Sequence, residues 1–167
     1  MTNFRDLAAA VVAVLLVLGA LSLGTSLTFF RKRRRLTRSD EEALGRRIIA
    51  EIPADDDLRL FTEDSRQFHY GKKSVDKDRI AAVRVLINGA PIAAYVSTRY
   101  AAGAAQATSF DDRPEGIARD RWDVAIERTD GSMLVECGAI RERVSQELAR
   151  AVFDAVKSDL ERRDAAA

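Results

Sequence analysis

The sequence predicts an α+β protein: an N-terminal transmembrane helix, then an antiparallel β-sheet or partly closed β-barrel of about six strands, capped by a C-terminal amphipathic helix. Three observations predict it. Residues 7–30 carry no charge and run directly into RKRRR at 31–35. Asn88-Gly89 and Asp130-Gly131 each sit between alternating apolar and polar residues, the pattern of a tight hairpin. From Ile140 to Leu160 an apolar residue recurs every fourth position.

The first element is the segment 1–30, a short tail and an anchor. Thirteen of the 24 residues from Leu7 to Phe30 are Leu, Val or Phe. A bilayer core needs about 20 apolar residues, and a helix satisfies its own backbone in lipid. Gly19, Ser22, Gly24, Thr25, Ser26 and Thr28 dilute the apolar run without ending it. A cleaved signal peptide is the rival reading, with Ala20-Leu21-Ser22 as a mimic of a cleavage site. Against it, Asp6 offsets Arg5, the apolar run exceeds the usual 7–15 residues, and a dense basic block follows. Ala20, Gly24 and Thr28 form a small-residue ladder through which such helices approach and self-associate, so a homodimer through this face is one expectation.

Residues 31–57 form a basic collar and a juxtamembrane helix. Arg31, Lys32, Arg33, Arg34, Arg35 and Arg38 follow the apolar segment, whereas Arg5 alone precedes it. Positive charge stays on the cytoplasmic side. The expected location is therefore a bacterial inner membrane, with the N-terminus outside and residues 36–167 in the cytoplasm. The same six side chains are the expected contacts for anionic headgroups. Ser39 and Glu42 have capping-box spacing, and Leu44, Ile48, Ile49 and Ile52 share a helical face that Pro53 would end.

Residues 58–167 are the expected β-rich domain. LRLFT at 58–62 and RQFHY at 66–70 read as strands, the second with Phe68 and Tyr70 opposite Gln67 and His69. Residues 80–88 and 91–99 flank the first hairpin turn, and 122–128 and 132–138 the second. Between the hairpins, residues 101–121 form a long loop, a length often tied to function. A helix over about 141–163 then covers the sheet with Ile140, Val144, Leu148, Val152, Val156 and Leu160.

Charge is unevenly spread. Residues 1–35 hold 6 Lys/Arg and 1 Asp, a net +5; residues 36–167 hold 21 Lys/Arg and 25 Asp/Glu, a net −4; together they give the formal +1. An acidic folded part argues against nucleic acid as a partner. A single cysteine, Cys137, excludes an intrachain disulfide.

KDRIAAVRVLING and the final hairpin and helix, RWDVAIERTDGSMLVECGAIRERVSQELARAVFDAVKSDL, resemble the bacterial pleckstrin-homology-like domains found beside membrane helices. The resemblance covers residues 58–163. It implies a binding or scaffolding module and brings no catalytic residues.

No GxSxG, HExxH, Walker A or CxxC pair is present. His69, the only histidine, reads as a solvated residue on the polar face of its strand. Asp55-Asp56-Asp57 reads as an acidic turn rather than a cation site, and Cys137, Trp122 and Phe153 as core residues. No catalytic residue, metal or cofactor is expected. The leading reading is a membrane-anchored, non-enzymatic binding or scaffolding protein whose partners are the bilayer and another membrane protein. The alternative is a regulator or enzyme for a soluble ligand, with a carboxylate/arginine site near 101–121.

Overall fold

The computed structural model describes residues 12–14, 35–54, 57–100, 121–139 and 141–166. The chain divides into two compact units, Met1–Asp40 and Glu41–Ala167.

Residues 35–43 are helical. Gly45 then takes φ +72°, the left-handed geometry that closes a helix at little cost to glycine. The backbone continues as a strand. The described residues of the second unit hold eight strands: β1 Arg47–Ala54, β2 Asp57–Glu63, β3 Gln67–Tyr70, β4 Lys73–Asp76, β5 Ile80–Ile87, β6 Ala90–Val96, β7 Arg121–Arg128 and β8 Gly131–Ala139. A helix over Arg143–Ala165 follows.

The strands form two four-stranded antiparallel sheets, ordered β1-β2-β3-β4 and β6-β5-β7-β8. The expected fold is thereby corrected. Among the described residues the strands number eight rather than about six, and they lie in two sheets rather than one. Among the described residues no helix is long and apolar enough to cross a membrane. Of the anchor expected over 7–30 the structure describes only the helical residues 12–14; the rest of it, the collar residues Arg31, Lys32, Arg33 and Arg34, and the ladder of Ala20, Gly24 and Thr28 lie outside the described residues, as do residues 101–120 of the loop expected over 101–121.

Both extra strands have clear physical origins. β1 replaces most of the expected juxtamembrane helix. Ile48, Ile49 and Ile52 are β-branched and suit a strand once Gly45 has ended the helical turn. β4 is short and charged, and pairs only because β3 presents Phe68 opposite Val75.

Both sheets and the helix share one core. Ile52, Phe61 and Phe68 come from the first sheet, Ile80, Val83, Val124 and Val135 from the second, and Val152, Val156 and Leu160 from the helix. Phe61 and Phe68 stack with centroids 5.6 Å apart. The helix runs against β5, β7, β8 and β1. Fully burying a side chain of this size contributes roughly 1.5–3 kcal/mol.

Charged links join the parts. Lys77, in the 3-10 turn after β4, is buried and donates to Glu63 Oε2 at 3.1 Å and to the Asp64 carbonyl at 2.7 Å. Its ammonium also sits 4.7 Å from the Phe68 ring centroid. At the far end of the helix, Asp164 accepts hydrogen bonds from the Tyr95 hydroxyl (3.0 Å), the Ser97 hydroxyl (2.6 Å) and the Thr98 amide (3.1 Å). This clasp pins the last turn of the helix to the end of β6.

Candidate binding groove

A groove lies between β6 and the N-terminal half of the helix. It is about 430 Å³ in volume. Its floor is apolar: Val85 of β5, Ile92 and Ala93 of β6, Trp122 of β7 and Phe153 of the helix. The charged side chains lining it, Arg143, Glu147, Arg150 and Asp154, are two arginines and two acids. Arg143 Nε donates to Glu147 Oε1 at 3.1 Å.

Local sequence explains each wall. Asn88 (φ +53°) and Gly89 (φ +82°) adopt the left-handed pair that closes a two-residue hairpin, so β6 returns directly along β5. A register shift between Val85 and Leu86 leaves Ile92 as the extra residue on β6. Ile92 is 54% exposed. Asn88 Oδ1 accepts the Arg121 amide at 3.0 Å and so seats the start of β7, bringing Trp122 to the floor. Trp122 is half-buried rather than fully core, and its Nε1 has no hydrogen-bond partner among the described residues. Cys137 is buried as expected, and burial pushes its thiol up to about 12, which leaves it inert.

A second cluster runs along β7, which begins at Arg121. Asp123 is fully buried, 2.9 Å from Arg121 Nε though poorly aligned for a hydrogen bond. Arg121 Nη2 lies 3.2 Å from Glu136 Oε1, and Arg59 Nη1 3.9 Å from Glu136 Oε2. Arg84 Nε donates to Glu127 Oε1 at 2.7 Å. Asp123 and Glu127 are buried on this face of the second sheet, with Ala82, Leu86 and Ala125 beside them. Each of these carboxylates faces a guanidinium, so the cluster works as an ion-paired layer between strands.

The other sequence candidates fall apart in space. His69 is buried, not solvated, because β3 is an interior strand flanked by β2 and β4. Its Nε2 lies 2.8 Å from Asp64 Oδ2. That contact, joined by the Arg66 and Gln67 amides, draws the Asp64 carboxyl down to about 2. Asp55 and Asp56 lie outside the described residues. Among the described residues no group of three His, Cys, Asp or Glu is placed to hold a metal. Arg35 and Arg38 are exposed, three residues apart in the helical stretch 35–43.

No protein-family model, curated protein or solved structure matches the chain.

Proposed function

We propose that the chain is a non-enzymatic binding or scaffolding protein that works at a membrane surface, with residues 41–167 as the binding module. The groove carries this reading: an apolar floor of Ile92, Trp122 and Phe153 framed by two arginines and two acids suits a protein segment. The sequence of residues 7–38, charge-free and then strongly basic, supports the membrane location, the cytoplasmic side and contact with anionic headgroups. Two antiparallel sheets with a C-terminal helix are compatible with the pleckstrin-homology-like resemblance, which points to the same class of role.

Two measurements test it. A fragment 31–167 should bind anionic vesicles and lose them as salt rises, because the Debye length shortens from about 10 Å at 0.1 M to about 3 Å at 1 M. A fragment 39–167 should not bind. Equal binding by both would move the lipid contact into the folded unit. Separately, in-cell cross-linking of the intact protein should recover a defined membrane protein that Trp122→Ala loses. An unchanged cross-link pattern would remove the groove from the reading.

A further inference from the structure

Two open sheets have four edges, and an unpaired strand edge is a template for another strand. Among the described residues three of the four are sheltered or charged, and the fourth is blunted only at its start, by Pro91 and the bulge at Ile92. β1 and β8 run beside each other, which shelters both. β4 is four residues long, carries Lys73 and Asp76, and follows Lys72. The fourth is β6, seven residues, APIAAYV, without a charge. Its first five residues are exposed.

The ladder shows which groups β6 offers. The Ser97 amide donates to the Ala81 carbonyl at 2.9 Å, so Ser97 faces β5. Alternation then turns Tyr95 and Ala93 toward β5, opposite Val83 and Val85. Ala94 and Val96 present their N–H and C=O groups outward. Pro91 pairs with Leu86 next to the hairpin-closing pair Ile87–Ala90, so the missing N–H of the proline is on the outer side, where no ladder bond is lost.

We propose that this edge pairs with β6 of a second copy of the chain, antiparallel about a two-fold axis at Ala94, joining the two sheets into one of eight strands. Charge selects the occupant. In a two-fold pairing each side chain near the axis meets its own copy, so any charge there would face a like charge. β6 has none, and the groove beside it is balanced, two arginines against two acids. A strongly charged partner would find nothing to complement. In the proposed register Ala94 bonds Ala94 of the second copy in both directions, and exposed Ile92 lies opposite Val96.

Position-dependent cross-linking of the intact protein tests this. Ala94→Cys places two thiols on a hydrogen-bonded pair with Cα atoms about 5.5 Å apart, inside disulfide range. Val96→Cys places them four residues out of register, well beyond it. Buried Cys137 stays silent in both. Mild oxidation should give a covalent dimer in high yield from Ala94→Cys and at least tenfold less from Val96→Cys. Ala94→Lys should convert the dimer to monomer in sedimentation and leave a cooperatively folded chain whose melting temperature no longer depends on protein concentration, because Ala94 is exposed. A protein monomeric at about 100 μM, or cross-linking equal at both positions or stronger at Val96, overturns the proposal; a monomer would leave the edge to a different polypeptide.

Discussion

Lys77 holds its ammonium 3.8 Å from the Asp159 carboxylate, linking the turn after β4 to the inner face of the C-terminal helix. Asp159 also accepts from Arg163 Nε at 2.9 Å, and Glu63 serves both Lys77 and Arg47. Buried charges in such a chain depend on one another. Removing one member leaves the others desolvated without compensation. Lys77→Ala should therefore cost about 3 kcal/mol in chemical denaturation followed by the fluorescence of Trp122. Lys77→Met keeps the stem over Phe68 and should cost less than Lys77→Ala. Equal losses would mean that the stem over Phe68 contributes nothing and that the lost charge accounts for the whole cost.

Val152 is fully buried within the shared core. Val152→Asp would place an unpaired carboxylate there and should cost more than about 4 kcal/mol. Val152→Ala removes only methyl groups and should leave a cooperative transition. A Val152→Asp protein with an unchanged melting temperature would contradict the packing described.

Gly138 takes φ +112°, and a Cβ built on it would lie 2.6 Å from Ser145 Oγ. Gly138→Ala is thus strained twice, by backbone and by contact, and should cost roughly 2 kcal/mol or more. Adding Ser145→Ala removes the hydroxyl and should recover part of the loss but not the backbone share. Full recovery would assign the whole cost to the contact.

Asp64 and Asp164 are among the carboxylates that make stability fall in acid. Asp64 titrates near 2 because of His69 and the Arg66 and Gln67 amides. Burial works against the Asp164 charge, yet the Ser97, Thr98 and Tyr95 donors hold its carboxyl below the ordinary range. A depressed folded value means stability fully present above the unfolded pKa of about 3.9 and lost as pH falls through the folded value. Stability should decline from about pH 5 toward pH 2. Asp64→Asn should flatten that decline by about 1–2 kcal/mol, allowing for screening of a partly exposed group. An unaltered pH profile would show that the His69 contact carries no linkage.

What was legible in the sequence was local. Asn88-Gly89 announces its turn because the backbone angles it needs belong to those two residues. The helix from Arg143 declares itself through repeated apolar positions, since burial and helical period coincide there. β4 carries no such signal: Lys73–Asp76 is a strand only because β3 lies beside it. Around β1, Ser39 and Glu42 favoured a longer helix, and the isoleucines fit both helical and strand periods; Gly45 decided between them. The groove was hidden for a different reason. Ile92, Trp122 and Phe153 come from three separate elements, and nothing in the neighbourhood of any one marks the others. Trp122 read as core because alternation reports which face a residue takes, not whether that face ends in a cleft.

The placement of Val152, Val156 and Leu160 in the same core as Ile52 and Phe61 has a consequence for biosynthesis. The first sheet is a meander of near neighbours and can pair as soon as it leaves the ribosome. Its apolar face then waits for a helix that begins at Arg143, roughly 70 residues after Asp76, a delay of about 3–13 s at ordinary elongation rates. During that interval the nascent chain shows an open hydrophobic surface and an uncharged β6 edge together. A chaperone dependence confined to synthesis, and absent from refolding of the finished chain, is the physiological signature of that chain order.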